Sequence, residues 1–407
     1  MRPHSWLLGS ALLLALAVPA IPAGGGAEAP QVTWKKTVVD RAFRSEGVAI
    51  ADVNRDGKMD ILVGDVWYEA PDWKVHEIRP PGNYGDGAAG YSKSFGCFAD
   101  DFNHDGWPDL IVIPFPGEAC YWYENPQGRS GHWKEHLLWR SACNETPQYA
   151  DLFGDGKKKL IMAIQPEGQM CWFEPGPDPS APWVPHPISD KSTKDRKTPG
   201  TERFSHGLGV GDLNGDGRLD VICTEGWWEQ PAKDDGKPWK FHPAKLGAAC
   251  ADMFAYDMDG DGKADVVSSS AHFYGMWWYH QRAGKDGVPQ FVEDPRFILH
   301  GLVSETHALH CVDINGDGLK DLVTGKRWWA HGPTGDMDPM APADLYWFEA
   351  KRAKDGQTRF VIHRIDDDSG VGTQFVVADI NGDKLPDIVV ANKKGVFVFE
   401  QVRGKGK

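Results

Sequence analysis

Hard oxygen donors recur along this chain at a fixed spacing. Seven times the order Asp-x-[Asp/Asn]-x-Asp-Gly-x-x-Asp, or a close variant, fills nine residues and runs straight into an apolar segment. Six copies keep every donor: Asp52, Asn54, Asp56 and Asp60; Asp101, Asn103, Asp105 and Asp109; Asp212, Asn214, Asp216 and Asp220; Asp257, Asp259, Asp261 and Asp265; Asp313, Asn315, Asp317 and Asp321; Asp379, Asn381, Asp383 and Asp387. Carboxylate and amide oxygens at positions 1, 3, 5 and 9 of a tight turn, with a backbone carbonyl at position 7, make the oxygen shell that Ca²⁺ requires. The glycine at position 6 permits the turn. No copy has the position-12 Glu of an EF-hand, and strand-like rather than helical segments flank the loops. The expected chemistry is therefore structural, with about five or six calcium ions stapling a fold. The third copy, 151–159, has Phe153 and Lys159 at donor positions and is expected to bind no ion, the Lys159 ammonium standing in for the cation. The seventh has Lys384 in place of the glycine, which weakens the case for its turn.

The loops start 49, 50, 61, 45, 56 and 66 residues apart, a period that belongs to propellers and solenoids. Each repeat reads as four short strands: one entering the loop, one leaving it, an aromatic third such as Tyr121–Glu124, and a fourth that opens on Trp73, Trp133, Trp183, Trp239, Phe291 or Phe360. The last repeat stops after its third strand, and the missing fourth is at the other end of the chain, in the run 34–39. The expected fold is all-β: a single-domain, seven-bladed β-propeller over 31–403, closed by pairing the N-terminal strand into the last blade.

Ahead of it, a basic start and a short apolar run within 1–23 read as a signal peptide, and 24–30 as a flexible tether. The protein is expected to be secreted, periplasmic or at the cell surface, with no membrane span. The formal net charge of −14 belongs to the calcium loops, and no basic stripe points to nucleic acid. The seven cysteines are an odd number and mostly fall inside strands, where a small buried apolar residue is the expected role.

The repeat also separates structural histidines from the rest. His76, His136, His186, His242 and His363 each lie three residues after the fourth-strand aromatic, so they belong to the scaffold. His206, His272 and His307 do not recur. Six residues before each loop stand Glu46, Phe95, Glu145, His206, Ala251, His307 and Thr373, a ring around one mouth of the central channel. Glu225, Glu305, Lys326, Arg327 and Tyr274 map to the same end, as do long connections at 80–93, 186–205 and 330–344. Lining a solvated channel, paired with one another, is the plain role for these side chains; one functional reading is instead a further transition-metal site, since His and Glu together suit Zn²⁺, Mn²⁺ or a similar ion better than calcium. The same set offers acid, base and cationic groups for a sugar or carboxylate.

On these residues the chain resembles the FG-GAP/VCBS repeat family, the calcium-bearing propeller repeat also found in integrin α-chain heads. The resemblance covers nearly all of 31–403 and implies the propeller fold. Similar repeats occur in adhesion proteins, lectin-like modules, polysaccharide lyases and a sugar dehydratase of the aldos-2-ulose type, so it leaves function open. One expectation is a module binding an extracellular glycan or protein in the mouth, with Trp67, Tyr274, Trp328 and Trp329 as stacking platforms. Another is a metal-assisted sugar lyase or dehydratase. There His206, His272, His307 and Glu305 would hold the metal or act as base, and Lys326, Arg327 and Tyr274 would neutralise or protonate the substrate. A third is a purely structural surface scaffold.

Overall fold

A computed structural model describes residues 31–247, 250–295, 302–353 and 357–404. The signal peptide 1–23 and tether 24–30 expected from sequence lie outside the described residues. Every repeat builds the same antiparallel unit. In the first, Ala49–Ala51 enters the loop, Asp60–Leu62 leaves it, Val66–Glu69 carries the aromatics and Lys74–Glu77 lies outermost. The register runs Ala49↔Leu62, Leu62↔Trp67 and Trp67↔His76 across the unit. The inner three strands are apolar on both faces and buried, whereas the fourth is mostly exposed, as fits one with water beyond its outer edge.

The units make a β-propeller of five four-stranded sheets and one eight-stranded sheet. Seven separate sheets were the expectation, and the difference has a local cause. Leu208–Gly211 pairs in parallel with Cys250–Tyr256, through Leu208↔Asp252, Gly209↔Met253 and Val210↔Phe254. A Cβ at Gly209 would overlap the Met253 carbonyl oxygen, and one at Gly211 would overlap the Ala255 side chain. Two glycines thus let the strands approach to ladder distance.

The ring closes as the sequence implies. Val32–Asp40 pairs antiparallel with Gly395–Arg403, with Trp34 opposite Gln401 and Val38 opposite Phe397. The core lies between sheets. One cluster joins the first and second repeats through Leu62, Trp67, Leu110 and Tyr123. Others join each following pair, and Val48, Val323, Trp347 and Val389 share a cluster that links the sixth, seventh and first. Backbone amides of Trp133, Trp183 and Trp239 donate to the carbonyls of Ile78, Leu138 and Ile188 in the preceding repeat.

The recurring histidines are scaffold groups. Each stacks on a third-strand Trp, with ring separations of 4.3 Å for His76 on Trp67, 3.8 Å for His186 on Trp172 and 4.2 Å for His363 on Trp347. Each also meets the Glu that ends that strand, as His136 meets Glu124 at 2.8 Å and His242 meets Glu229 at 2.6 Å. The fifth repeat inverts the pair: His280 sits on the third strand and meets Asp294, just past the fourth, at 2.9 Å. All seven cysteines are free thiols, six of them buried. Among the described residues no helix is long and apolar enough to cross a membrane.

Candidate functional site

The two sets of donors lie at opposite ends of the first strands. At one end all seven loops share a hydrogen-bond frame in which the position-6 amide donates to the position-1 carboxylate at 2.8–3.0 Å, from Gly57 to Asp52 in the first to Lys384 to Asp379 in the last. Lys384 makes the turn with φ +68°, so the seventh loop forms despite lacking its glycine. In the donor-complete loops the position-9 Asp binds backbone as well. Asp60 accepts the Val53 amide at 2.9 Å and the Ala70 amide at 2.8 Å, locking the loop to the end of the third strand. Burial pushes Asp109 up to about 8 and Asp220 and Asp321 up to about 7. Buried carboxylates so raised are short of counter-charge, which a bound cation would supply. Asp257, Asp259 and Asp261, and likewise Asp379, Asp383 and Asp387, bring oxygens within 4.8 Å of one another. These donor sets fit calcium. In the third loop the Lys159 ammonium pairs with Glu174, at the end of the third strand, at 2.7 Å.

At the other end the non-recurring histidines meet. His206, His272 and His307 bring ring nitrogens within 4.8 Å of one another. His206 ends the connection into Leu208–Gly211, His272 follows Asp265–Ser270, and His307 precedes Leu309–Val312. Two first-strand approaches and the exit of one second strand, from three neighbouring repeats, therefore bring imidazoles together. His272 Nε2 lies 3.0 Å from His206 Nε2. Burial, with the neighbouring His307 and His206, lowers His272 to about 2. Burial and the Arg327 charge lower His307 to about 3. Two of the three rings are thus neutral across the physiological range and offer lone pairs. Glu145 Oε2 stands 3.3 Å from His307 Nε2 and 3.5 Å from His206 Nε2. The first contact is poorly aimed, so both ring nitrogens of His307 lack a hydrogen bond, as does His272 Nδ1. Buried imidazole nitrogens left unsatisfied are what a metal ion would fill.

Arg327 links this cluster to Glu46, at 3.4 Å from Glu145 and 3.1 Å from Glu46. Burial alone would raise Glu145, but the two histidines and Arg327 outweigh it and hold the carboxyl well below its ordinary range. Beside them Glu305 is fully buried, with φ +56°, a strained conformation for Glu. One of its carboxylate oxygens accepts the Met337 amide at 2.8 Å, and the other has no partner. Burial pushes it up to about 7, the Lys326 charge offsetting only part. The Lys326 ammonium donates to Ser304 Oγ at 2.7 Å and the Met337 carbonyl at 3.0 Å.

Not every expected residue joins. Tyr274 is placed by its backbone bridge to Ser304, and its hydroxyl makes no hydrogen bond to the histidines among the described residues. Glu225 accepts the Thr224 hydroxyl at 2.7 Å, outside the cluster. Trp67 is stacked on His76 beside Asn54 of the first acidic loop, away from the mouth, because third-strand aromatics face between sheets. Trp328 and Trp329 stack on each other at 4.6 Å on the mouth side. Glu145 was visible in the same register as His206 and His307, but only the fold shows it at their centre. His331, 4.8 Å from His272, is a further rim residue.

Residues 257–324, from the fifth loop through the sixth, match the model of the FG-GAP-like repeat. The chain carries an FG-GAP-like repeat. No curated protein matches the chain in sequence. Among solved structures, BBS1N in complex with ARL6DN is similar with a TM-score of 0.53 at 10% identity, covering 92% of this chain and 98% of that one. An Agrocybe aegerita lectin that recognises non-reducing terminal N-acetylglucosamine gives 0.45 at 17% identity, over 91% and 86% of the two chains. Rhamnogalacturonan lyase YesW gives 0.43 at 14% identity, over 93% and 74%. At these identities the likeness to BBS1N speaks for the propeller fold alone, and the two lower scores carry no argument.

Proposed function

We propose that this chain is an exported, calcium-stapled propeller whose mouth holds a transition metal and uses it to bind a carbohydrate. Counting the eight-stranded sheet as two blades joined by a parallel ladder gives seven blades, one per repeat, in a single domain over 31–403. The observation that carries the reading is the convergence of His206, His272 and His307 on one point beside Glu145. Three imidazoles and a carboxylate suit Zn²⁺ or Mn²⁺. When bound, such an ion supplies open positions for the vicinal hydroxyls or carbonyl of a sugar. Arg327, between Glu46 and Glu145, leaves the surroundings one negative charge before the ion arrives.

A catalytic reading, sugar elimination of the lyase or dehydratase type, is favoured by Glu305. A buried carboxyl with one free oxygen, poised to about 7, is suited to take a proton from carbon near neutral pH, with the charge of Lys326, the residue before Arg327, acting on it. Elemental analysis of the dialysed full chain tests the centre. The expectation is about five or six calcium ions and one zinc or manganese equivalent, the latter alone lost in His206→Ala/His307→Ala. A protein that takes up no transition metal when offered it would sink the reading. Turnover of a sugar substrate lost in Glu305→Gln with metal retained would establish catalysis, and unchanged ligand affinity in that variant would establish binding.

A further inference from the structure

Among the described residues only two Phe, Tyr or Trp side chains are exposed, Phe204 at 46% and Phe273 at 58%. Large apolar groups left in water are the informative exceptions on a surface whose other rings are covered. Both stand beside histidines of the mouth. Phe204 is two residues before His206, and Phe273 directly follows His272. Those two imidazoles meet at 3.0 Å. Two residues of chain span at most about 7 Å, so both rings border the histidine centre, each from a different repeat.

Neither ring is loosely held. The Phe273 amide donates to Ser270 Oγ at 2.9 Å, its carbonyl accepts the Glu305 amide at 2.8 Å, and a backbone bridge ties Tyr274 to Ser304. No other ring and no cation packs on the Phe273 ring among the described residues. Phe204 packs edge-on against Phe115 at 5.5 Å, and Phe115 stacks on Tyr91 at 5.1 Å. The Arg203 guanidinium lies 4.9 Å from the Phe204 ring and is fixed in turn, by the Pro116 carbonyl at 2.6 Å and by Gly117, where a Cβ would overlap it. Phe204 is thus supported on one side and open on the rest.

The surroundings say what covers these rings. A protein partner would call for a contiguous apolar patch, whereas here each ring is single and set among polar groups. Glu202 and Arg203 precede Phe204, Ser205 and His206 follow it, and His272 and Tyr274 flank Phe273. The Ser205 and Tyr274 hydroxyls make no hydrogen bond among the described residues. A ligand that lies on an isolated ring and offers hydroxyls to its polar neighbours is amphipathic on the scale of one ring, as a pyranose is, with a C–H face rimmed by hydroxyls. One ring seats one such unit, and two rings bordering one centre seat two. We infer that the mouth binds an oligosaccharide across the histidine centre, one unit stacked on Phe273 and another on the open part of Phe204. The inference rests on the carbohydrate reading above and sets the least length of its ligand.

Calorimetric titration of the full chain with calcium and zinc supplied tests it. The probes are glucose, mannose and galacturonic acid, each as the monosaccharide and as its 1,4-linked di-, tri- and tetrasaccharide. In one series the trisaccharide is expected to bind at least about tenfold more tightly than the monosaccharide, the worth of one more apolar face removed from water. Phe273→Ala and Phe204→Ala should each lose that gain while the metal content stays that of the parent, and Phe273→Trp, which keeps a ring, should retain it. Both positions are exposed, so the variants are expected to fold, and their melting temperatures check this. In His206→Ala/His307→Ala the metal should go but the trisaccharide should still exceed the monosaccharide. A parent that takes up no transition metal and yet prefers the longer sugar through both rings would sink the metal reading and support this one. Equal affinity at every length, no binding in any series, or a loss in fewer than both alanine variants would overturn the inference. A dimer that becomes a monomer in Phe273→Ala would overturn it as well, by making the ring an interface between copies.

Discussion

Asp252 stands where first strands of three repeats converge. Its carboxylate accepts the Gln148 side-chain amide at 2.9 Å and the Leu309 backbone amide at 3.1 Å, with no cation paired to it among the described residues. Burial pushes it up to about 7. Its unfolded value lies near 3.9, so between these limits the native state binds the extra proton. Stability from this group is therefore greatest at low pH and is lost as pH rises through 7. In Asp252→Asn the new amide can donate to a turned Gln148 and still accept from Leu309, leaving no charge to bury. The variant is expected to be more stable than the parent by about 2 kcal/mol near pH 8.5 and no more stable near pH 5, in urea titrations at saturating calcium. A difference independent of pH would show that the carboxylate is not the cause. Much at this scale was legible in the sequence: recurrence alone sorted His76 and its four counterparts from His206, His272 and His307. Glu145 stood in the same register but gained its role only in space, through 3.3–3.5 Å contacts that no spacing rule encodes.

Within an element, the glycines of Leu208–Gly211 do what a side chain would forbid. Gly209 is placed so that a Cβ would meet the Met253 carbonyl, and this is the strand that joins two repeats into the eight-stranded sheet. Gly209→Ala should therefore cost about 3 kcal/mol or more, because backbone has to move on both strands. Gly217→Ala, at φ +84° with open space around it, should cost only about 1 kcal/mol of local strain. Thermal melts of the two variants give the comparison, and equal losses would place the strain in the turns instead. The loops make a second contrast. Asp212→Asn should release one calcium ion, whereas Asp151→Asn should release none, since Lys159 pairs with Glu174 where the other loops place a donor Asp. Calcium counted by elemental analysis in the two variants checks this. The strand pattern, the loop positions and the outer aromatics were all readable from periodicity. The parallel ladder was not, because approach between repeats is decided by packing around the axis. Trp67 was misplaced for a related reason: a third-strand aromatic faces the neighbouring sheet, and sequence alone does not say which aromatics escape that interface.

For the whole molecule the question is what makes seven repeats a ring. Each core cluster is shared by neighbouring repeats, so no sheet buries its faces alone. The last cluster spans the sixth, seventh and first repeats, and half-buried Val32, Trp34 and Val39 pack against it from the N-terminal strand. That strand is the one element joining the two ends of the chain through a ladder, with eight residue pairs from Val32↔Arg403 to Asp40↔Val396. Removing it would expose the edge of Gly395–Arg403, whose inner residues are buried, and an unpaired apolar edge recruits other chains. Loss of three half-buried apolar side chains and the ladder corresponds to about 3–5 kcal/mol. A chain lacking 31–40 is therefore expected to melt lower and to self-associate on size exclusion, while its calcium content stays the same because the loops lie within the repeats. Supplying a peptide of residues 31–40 in trans should restore the monomer by filling the same edge. A truncated chain that stays monomeric at an unchanged melting temperature would mean that the cluster between the seventh and first repeats closes the ring without the strand.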